Sequence, residues 1–377
     1  MPNSTITIDY TPAFEQGAGI GRYVRELTHA LARHDTDTRY KLFVSGASKS
    51  ALPQQLGDNF HWRNTRISPK WLARLWFRAN AKFPIEMMIG ETRIYHATDF
   101  VLPPTRPKTR TLLTVHDLSF IRVPEAASPA LKAYLDRVVP DSIRRADHIL
   151  ADSQATKNDI IEFYGSSADK ITVLLSGVDK RFKPVSDAGM TIRSKYRIPK
   201  RPFILSVGTV QPRKNYQRLI HALANLRKNG IDIDFVIAGG KGWLEDPIFE
   251  TISKTGLSDH VHLIGFVDDI DLPALYSAAN CVAFPSLYEG FGFPVLEGMA
   301  CGTPVLTSSV SSLPEVAGDA TVLVNPYDLD AIVDGLQRLI TDDTLRKSLI
   351  VKGFTQAKQF TWERSAQHLK EIYDSML

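Results

Sequence analysis

The sequence predicts an α/β protein built from two doubly wound, Rossmann-like domains facing each other across a cleft, and three observations predict it. Short β-rich runs alternate with amphipathic helical stretches along the chain, and the alternation occurs twice. Many of the runs are continuously apolar, as parallel strands must be when helices cover both faces of their sheet. The chain has 377 residues, beyond the roughly 250–300 at which a single core stops growing.

The expected strands of the first half are Thr5–Asp9, Tyr40–Ser45, Ile94–Ala97, Thr111–Val115, Ile149–Ala151 and Ile171–Leu175. Those of the second half are Phe203–Val207, Asp234–Ala238, Val261–Ile264, Val282–Phe284, Val305–Thr307 and Thr321–Val324. Between them, Ile20, Tyr23, Val24, Leu27 and Leu31 mark one helical face, and Leu219, Ile220, Leu223 and Leu226 mark another. The domains are expected at 1–183 and 184–358, with the boundary in the polar stretch from Pro184 to Gly189. The last helix, Trp362 to Met376, carries an apolar stripe of Ala366, Leu369, Ile372, Tyr373 and Met376, and segment 359–377 is expected to return to the first domain.

Composition removes several classes. A net charge of +4 is too mild to argue for nucleic acid, and no recognised binding module accompanies it. Cys281 and Cys301 show no metal-ligand or redox spacing and read as small buried hydrophobes. Met1 to Ile6 has no basic stretch followed by an apolar run, and no segment offers about 18 consecutive apolar residues. The reading is a cytoplasmic protein.

Ligands of doubly wound sheets gather at strand carboxyl ends, where helix N-termini point. The strongest constellation there is the segment from Phe284 to Pro304. A strand ends, and a turn containing Gly290 and Gly292 lets backbone approach a ligand closely. Pro294 suits the first turn of a helix, whose free N–H groups near Phe293, Pro294, Val295 and Leu296 favour a phosphate. Gly302 and Pro304 stop that helix after about two turns. Glu289 can accept hydrogen bonds from sugar hydroxyls, and Glu297 from a ribose diol. A tight strand–helix turn with two surface acids is the structural alternative, which these residues alone leave open.

The second constellation is Gly208-Thr209-Val210-Gln211-Pro212-Arg213-Lys214-Asn215, directly after a strand. Arg213 and Lys214 suit a diphosphate, one as a fork and the other as a compact point charge. Preorganised cations of this kind can stabilise developing negative charge without metal. A solvated basic turn is the alternative. In the first half, Gly17-Ala18-Gly19-Ile20-Gly21-Arg22 follows a strand and opens a helix. It lacks the spacing of a dinucleotide site, and no acid ends the second strand. His116-Asp117 ends another strand, where a lone histidine is structural in the alternative reading. Tyr10 and Glu15 are further candidates to face the cleft.

The Phe284–Pro304 segment resembles the donor-binding signature of the retaining GT-B glycosyltransferases of family 4. Its hallmark is two glutamates separated by seven residues, matched here by Glu289 and Glu297. Gly239-Gly240, Gly265-Phe266 and Ser311-Ser312-Leu313-Pro314-Glu315 also fall where such proteins have similar segments. The resemblance implies a donor site of Gly17, Gly19, Gly21, Gly208, Arg213, Lys214, Glu289, Gly290, Phe291, Gly292, Phe293, Pro294, Val295, Leu296 and Glu297. Glu289 would bind the donor sugar and Glu297 the ribose, with His116, Arg213, Lys214 and Glu289 catalytic. It implies no cofactor beyond the nucleotide-sugar donor and no metal. Front-face displacement with retention follows from the same resemblance, since no clear carboxylate nucleophile stands out.

The runs Val115 to Phe120 and Phe360 to Glu363 resemble bacterial mannosyltransferases of polysaccharide and O-antigen assembly, which makes GDP-mannose the expected donor and a lipid-linked glycan the expected acceptor. A UDP- or dTDP-sugar donor, and a nucleotide-sugar epimerase, are the alternatives. Asp269-Ile270-Asp271 is a D-x-D, but it reads as a loop and helix N-cap rather than a metal ligand. Finally, His61 to Phe83 interleaves Arg63, Arg66, Lys70, Arg74, Arg78 and Lys82 with Trp62, Trp71, Trp76, Phe77 and Phe83, with no acid among them. It is expected to form a basic, aromatic helix able to lie in a membrane interface, on the inner face of the membrane.

Overall fold

The computed structural model describes residues 5–17, 19–79, 81–186 and 188–377. The expectations resting on Met1 to Ser4, Ala18 and Asp187, and on Asn80 within the basic stretch, lie outside the described residues. Two compact units emerge. The first comprises 1–118, 133–177 and 361–377, and the second 119–132 and 178–360.

The first unit is a seven-stranded parallel sheet of β1 (Thr5–Asp9), β2 (Arg39–Ser45), β3 (Phe60–Thr65), β4 (Ile94–Ala97), β5 (Arg110–Val115), β6 (His148–Ala151) and β7 (Ile171–Val173). Its order is β3-β2-β1-β4-β5-β6-β7. The second is a six-stranded parallel sheet of β8 (Phe203–Val207), β9 (Asp234–Ala238), β10 (Val261–Gly265), β11 (Cys281–Phe284), β12 (Val305–Ser308) and β13 (Val322–Val324). Its order is β10-β9-β8-β11-β12-β13. Each order reverses direction once, between β1 and β4 and between β8 and β11, and such switch points open a crevice at the strand carboxyl ends. In the second unit this places the loop after β8 beside the loop after β11, although about 75 residues separate them in the chain.

The cores follow the apolar runs. Ile204, Phe235, Ile237 and Ala283 bury one sheet face against Leu219, Leu223 and Leu226 of the helix Tyr216–Lys228. In the first unit the C-terminal helix Trp362–Met376 packs on the helix Ile20–His34. Trp362 meets the edge of Tyr23 at 6.1 Å, and Tyr373 Oη lies 2.7 Å from His96 Nδ1. Burial lowers His96 to about 3, so that imidazole is neutral.

Two expectations need correction. Residues 61–65 are not helical. They belong to β3, which pairs in parallel with β2 from Tyr40↔Phe60 to Ser45↔Thr65. Phe60 stacks on Tyr40 at 4.5 Å, and Trp62 meets Tyr10 edge-on at 5.1 Å. Aromatic cross-strand packing outweighs the helical spacing of the basic residues. The helix begins only at Pro69, where the Ser68 hydroxyl accepts from Trp71 N, and continues as a π-turn over Arg74–Arg78. The second correction concerns Asp271. It occupies the N-cap of Leu272–Ala278, but its side chain makes no capping bond. Oδ2 instead accepts from Lys195 Nζ at 2.5 Å and Tyr196 Oη at 2.7 Å.

Segment 119–132 joins the second unit through its 3-10 turn Pro124–Ala126. Val123 and Ala126 pack on Tyr288, and Trp243 Nε1 donates to Ala126 O at 2.9 Å. No pattern in the residues announces this, because two very short helices carry no measurable periodicity. The residue division therefore differs from a boundary after 183: it falls at Gly177/Val178, and a segment from the middle of the first half is included in the second unit.

Candidate functional site

The site in the second unit is built where β8 and β11 lie side by side. After β8, Gly208 takes φ +154°, and a Cβ there would stand 3.1 Å from Lys214 Cε. The chain then turns through Pro212–Lys214 into left-handed Asn215. Asn215 Nδ2 donates to Pro285 O at 2.9 Å and Pro326 O at 2.7 Å, and Leu287 N donates to Arg213 O at 2.9 Å. These bonds fasten the basic turn to the loop after β11.

That loop is held from its other side by β12's continuation. Ser311 Oγ accepts from Glu289 N at 3.0 Å, while Ser312 Oγ lies 2.9 Å from Glu289 O and 2.8 Å from Phe291 O. Gly292 has φ +119° and caps the helix Phe293–Ala300, with Pro294 in its first turn. A Cβ on Gly292 would lie 2.7 Å from Leu313 Cδ2. Gly292→Ala is therefore expected to destabilise the protein by about 1–3 kcal/mol through strain and overpacking. A fall in the denaturant midpoint with unchanged slope would register it. Phe291 is buried edge-on against Phe293 and Phe360, and Val295 and Leu296 point into the core.

The two fastened loops bring charge together. Glu289 is 7% exposed; its Oε1 accepts from Lys214 Nζ at 2.7 Å and its Oε2 lies 2.7 Å from Arg213 Nη1. Arg213 Nη1 also donates to Tyr288 O at 2.6 Å, and Lys214 Nζ lies 4.6 Å over the Phe284 ring. Burial alone would raise the Glu289 carboxyl, but the Arg213 and Lys214 charges override it and hold it down at about 2. Glu297 is buried on the helix, and its Oε2 accepts from Tyr276 Oη at 2.6 Å. In the same basic turn, buried Gln211 presents an Oε1 with no hydrogen-bond partner among the described residues.

In the first unit, Gly17 precedes the helix Ile20–His34, Gly19 is its N-cap residue and Gly21 lies in its first turn. Arg25 holds the segment before the helix, donating to Ala13 O, Gln16 O and Gly17 O at 2.9, 2.7 and 2.9 Å. His116 follows β5 and is 5% exposed. Its Nδ1 lies 2.8 Å from Asp152 Oδ2 and its Nε2 2.8 Å from Thr98 O. Both partners accept, so both ring nitrogens must donate and the ring is a cation. Burial would lower it, yet the Asp152 carboxylate, aided by Asp99 and the Thr98 carbonyl, lifts it to about 9. Tyr10 is buried, Glu15 is exposed at the end of a short helix, and half-buried Asp117 follows His116.

The family model described as Glycosyltransferase Family 4 matches residues 17–182, and that described as Glycosyl transferases group 1 matches 190–356. The chain is 35% identical, over 94% of itself and 95% of the relative, to O-antigen chain mannosyltransferase B of Escherichia coli. The chain belongs to glycosyltransferase family 4. Among solved structures, the sucrose-phosphate synthase of Thermosynechococcus elongatus shares its fold with a TM-score of 0.76 at 22% identity, over 99% of both chains. Anabaena HepE, solved in complex with UDP and glucose, does so with a TM-score of 0.73 at 20% identity, also over 99% of both. This glycosyltransferase therefore has the GT-B fold of two Rossmann-like domains.

In this family 4 enzyme the structure brings Gly208, Arg213, Lys214 and Glu289 to one place and sets Gly290 to Glu297 along the adjoining turn and helix. Four partners escaped sequence reading. Tyr276, which holds Glu297, lies inside a helix whose pattern reads only as core. Ser311 and Ser312 stood in a family-like segment without an assigned task. Asp152, the partner of His116, had a usable signal: it is an acid directly after β6, the neighbour of β5, so both strand ends meet. Asp268 and Asp271 are engaged by Lys195. Among the described residues, no group of three or more His, Cys, Asp or Glu is arranged to hold a metal ion, and no helix is long and apolar enough to cross a membrane.

Proposed function

We propose that this enzyme is a retaining, metal-independent mannosyltransferase that moves mannose from GDP-mannose onto a hydroxyl of a lipid-linked glycan in O-antigen or related polysaccharide assembly. The observation that carries the reading is the largely buried Arg213–Glu289–Lys214 cluster, fastened at the switch point of the second unit's sheet. The near full-length likeness to an O-antigen mannosyltransferase supports the sugar and the pathway class.

In this reading Arg213 and Lys214 hold the diphosphate as the bond from the anomeric carbon to its phosphate oxygen breaks. The acceptor oxygen forms its bond on the same face, and its proton passes to the leaving phosphate oxygen. Two fixed cations stabilise the charge that builds on that phosphate, in a setting where little reorganisation is needed. Glu289 receives hydroxyls of the sugar, and Glu297 receives the ribose diol. His116, a cation with both nitrogens committed, acts by holding the ends of β5 and β6 rather than as a base.

Tyr276→Phe tests the ribose assignment. Removing one hydrogen bond to a carboxylate is expected to weaken donor binding about tenfold with kcat nearly unchanged, read from donor KM and kcat in steady state. The donor itself is tested by thermal stability with GDP, UDP, dTDP and their sugars, each with and without EDTA. A ligand of the folded state adds about 2.7 kcal/mol at a hundredfold excess over its dissociation constant. The reading expects stabilisation by GDP and GDP-mannose, unchanged by EDTA. Stabilisation by UDP or dTDP compounds alone replaces the donor.

A membrane-facing surface on the first unit is a second element of this proposal. Trp71 is 58% exposed with the Arg74 guanidinium 5.0 Å over its ring, and Ile67 is exposed nearby, whereas Trp76 is buried. One exposed aromatic among Arg66, Lys70, Arg74 and Arg78 suits an anionic lipid surface, where each cation contributes roughly 1 kcal/mol. The protein should be retained on anionic vesicles at low salt and released at high salt. Equal behaviour with neutral vesicles would remove the surface from the account.

A further inference from the structure

We propose that Glu289 is an internal surrogate for the donor's diphosphate: its carboxylate binds the same two cations, and diphosphate binding displaces it toward the sugar. The inference rests on the donor-site reading above and adds the order in which that site's charges are used.

The geometry points to it directly. The two oxygens of one carboxylate are divided between two cations, Oε1 on Lys214 Nζ and Oε2 on Arg213 Nη1, both at 2.7 Å. Adjacent non-bridging oxygens of a phosphate present the same spacing class and a like charge to the same donors. The cluster is largely shielded from solvent: the side chains of Glu289, Lys214 and Arg213 are 9%, 10% and 16% exposed. Water therefore supplies little screening, and each cation needs an anion beside it. Taking Glu289 away would remove an anion that both cations share, a large loss where the surroundings are largely desolvated.

A diphosphate and the Glu289 carboxylate cannot both take these short, desolvated contacts, because two anions would then crowd the same nitrogens. The diphosphate carries the greater charge and prevails. Glu289 then leaves the pair, and the nearest use for its oxygens is the hydroxyls of the attached sugar. Its backbone does not need to move for this, since Ser311 and Ser312 pin Glu289 N and O. Only the side-chain torsions change. The sugar-binding acid is in this way deployed only once the diphosphate is seated, and a free sugar alone does not recruit it.

The test separates phosphate binding from base binding. Calorimetry compares a nucleoside diphosphate with its own nucleoside, for guanine, uracil and thymine, on wild type, Glu289→Gln and Glu289→Asp. Gln keeps the shape but not the charge, and Asp keeps the charge but is one methylene too short to bridge both cations. The diphosphate that binds wild type is expected to bind both variants at least tenfold more tightly, with the nucleoside unchanged. If one variant fails to fold, as judged by circular dichroism and nucleoside binding, the other carries the comparison. Equal or weaker diphosphate binding in a folded variant overturns the surrogate role and leaves the donor site standing. Absence of nucleotide binding to wild type and both variants overturns the donor-site reading, and the surrogate role falls with it.

Discussion

Lys214→Ala is expected to lower turnover by about 10²–10³-fold, the scale on which one preorganised charge stabiliser contributes to a transition state. The loss should fall on kcat more than on donor KM, because charge on the leaving phosphate grows as the glycosidic bond breaks and is largest in the transition state. The substitution also removes one of the two cations holding Glu289. Arg213 remains, so the carboxylate keeps one partner and the fold should survive, with its melting temperature lowered. Single-turnover kinetics with pre-bound donor separates the two effects. A variant that folds, binds donor and turns over like wild type would remove Lys214 from the mechanism, and with it the metal-free stabilisation of the leaving group.

The second large effect is on stability rather than rate. His116 is lifted to about 9 in the folded protein, against about 6.5 when exposed. A raised histidine contributes stability fully below the unfolded value and loses it as pH climbs through the folded one. Wild type should therefore lose roughly 3 kcal/mol between pH 6.5 and about 9 from this group alone. His116→Asn should lack that alkaline slope. It should also be less stable at neutral pH by about 3–5 kcal/mol, because Asp152 is left buried with no cation beside it. Urea midpoints from pH 6 to 10 for both proteins give the answer in one series. A parallel decline in wild type and variant would show that the imidazole is not the group that titrates. Turnover in His116→Asn bears on mechanism too: with both ring nitrogens committed to Asp152 and Thr98, a lost activity should track the lost fold.

What the sequence made legible were the features written in one stretch of chain. Eleven further strands aside, β8 and β11 announce themselves as apolar runs, and the turns after them carry Arg213, Lys214, Glu289 and Gly292 within a few residues of each strand end. What it did not carry was which turns meet. The contact between Lys214 and Glu289 follows from β8 lying next to β11, and strand order is a property of the whole sheet. The same gap hid Asp152 behind His116, two residues on neighbouring strands β5 and β6. The strand β3 was concealed differently. Its residues Arg63 and Asn64 interrupt the apolar pattern expected of a covered strand, and as an edge strand it tolerates them because one side lacks a partner. Tyr276 illustrates a third kind of opacity. On an apolar helix a tyrosine fits a core position, and only its hydroxyl, 2.6 Å from Glu297, shows that it also holds that carboxylate.

The most direct measurement is transfer itself. GDP-mannose labelled with ¹³C at the anomeric carbon would be incubated in EDTA with the enzyme and a synthetic lipid-diphosphate glycan ending in mannose. The product's anomeric configuration would then be read by NMR. The account predicts a mannosylated product whose anomeric carbon keeps the configuration of the donor. Transfer from a UDP- or dTDP-sugar with none from GDP-mannose, inversion at the anomeric carbon, or activity abolished by EDTA would each contradict it.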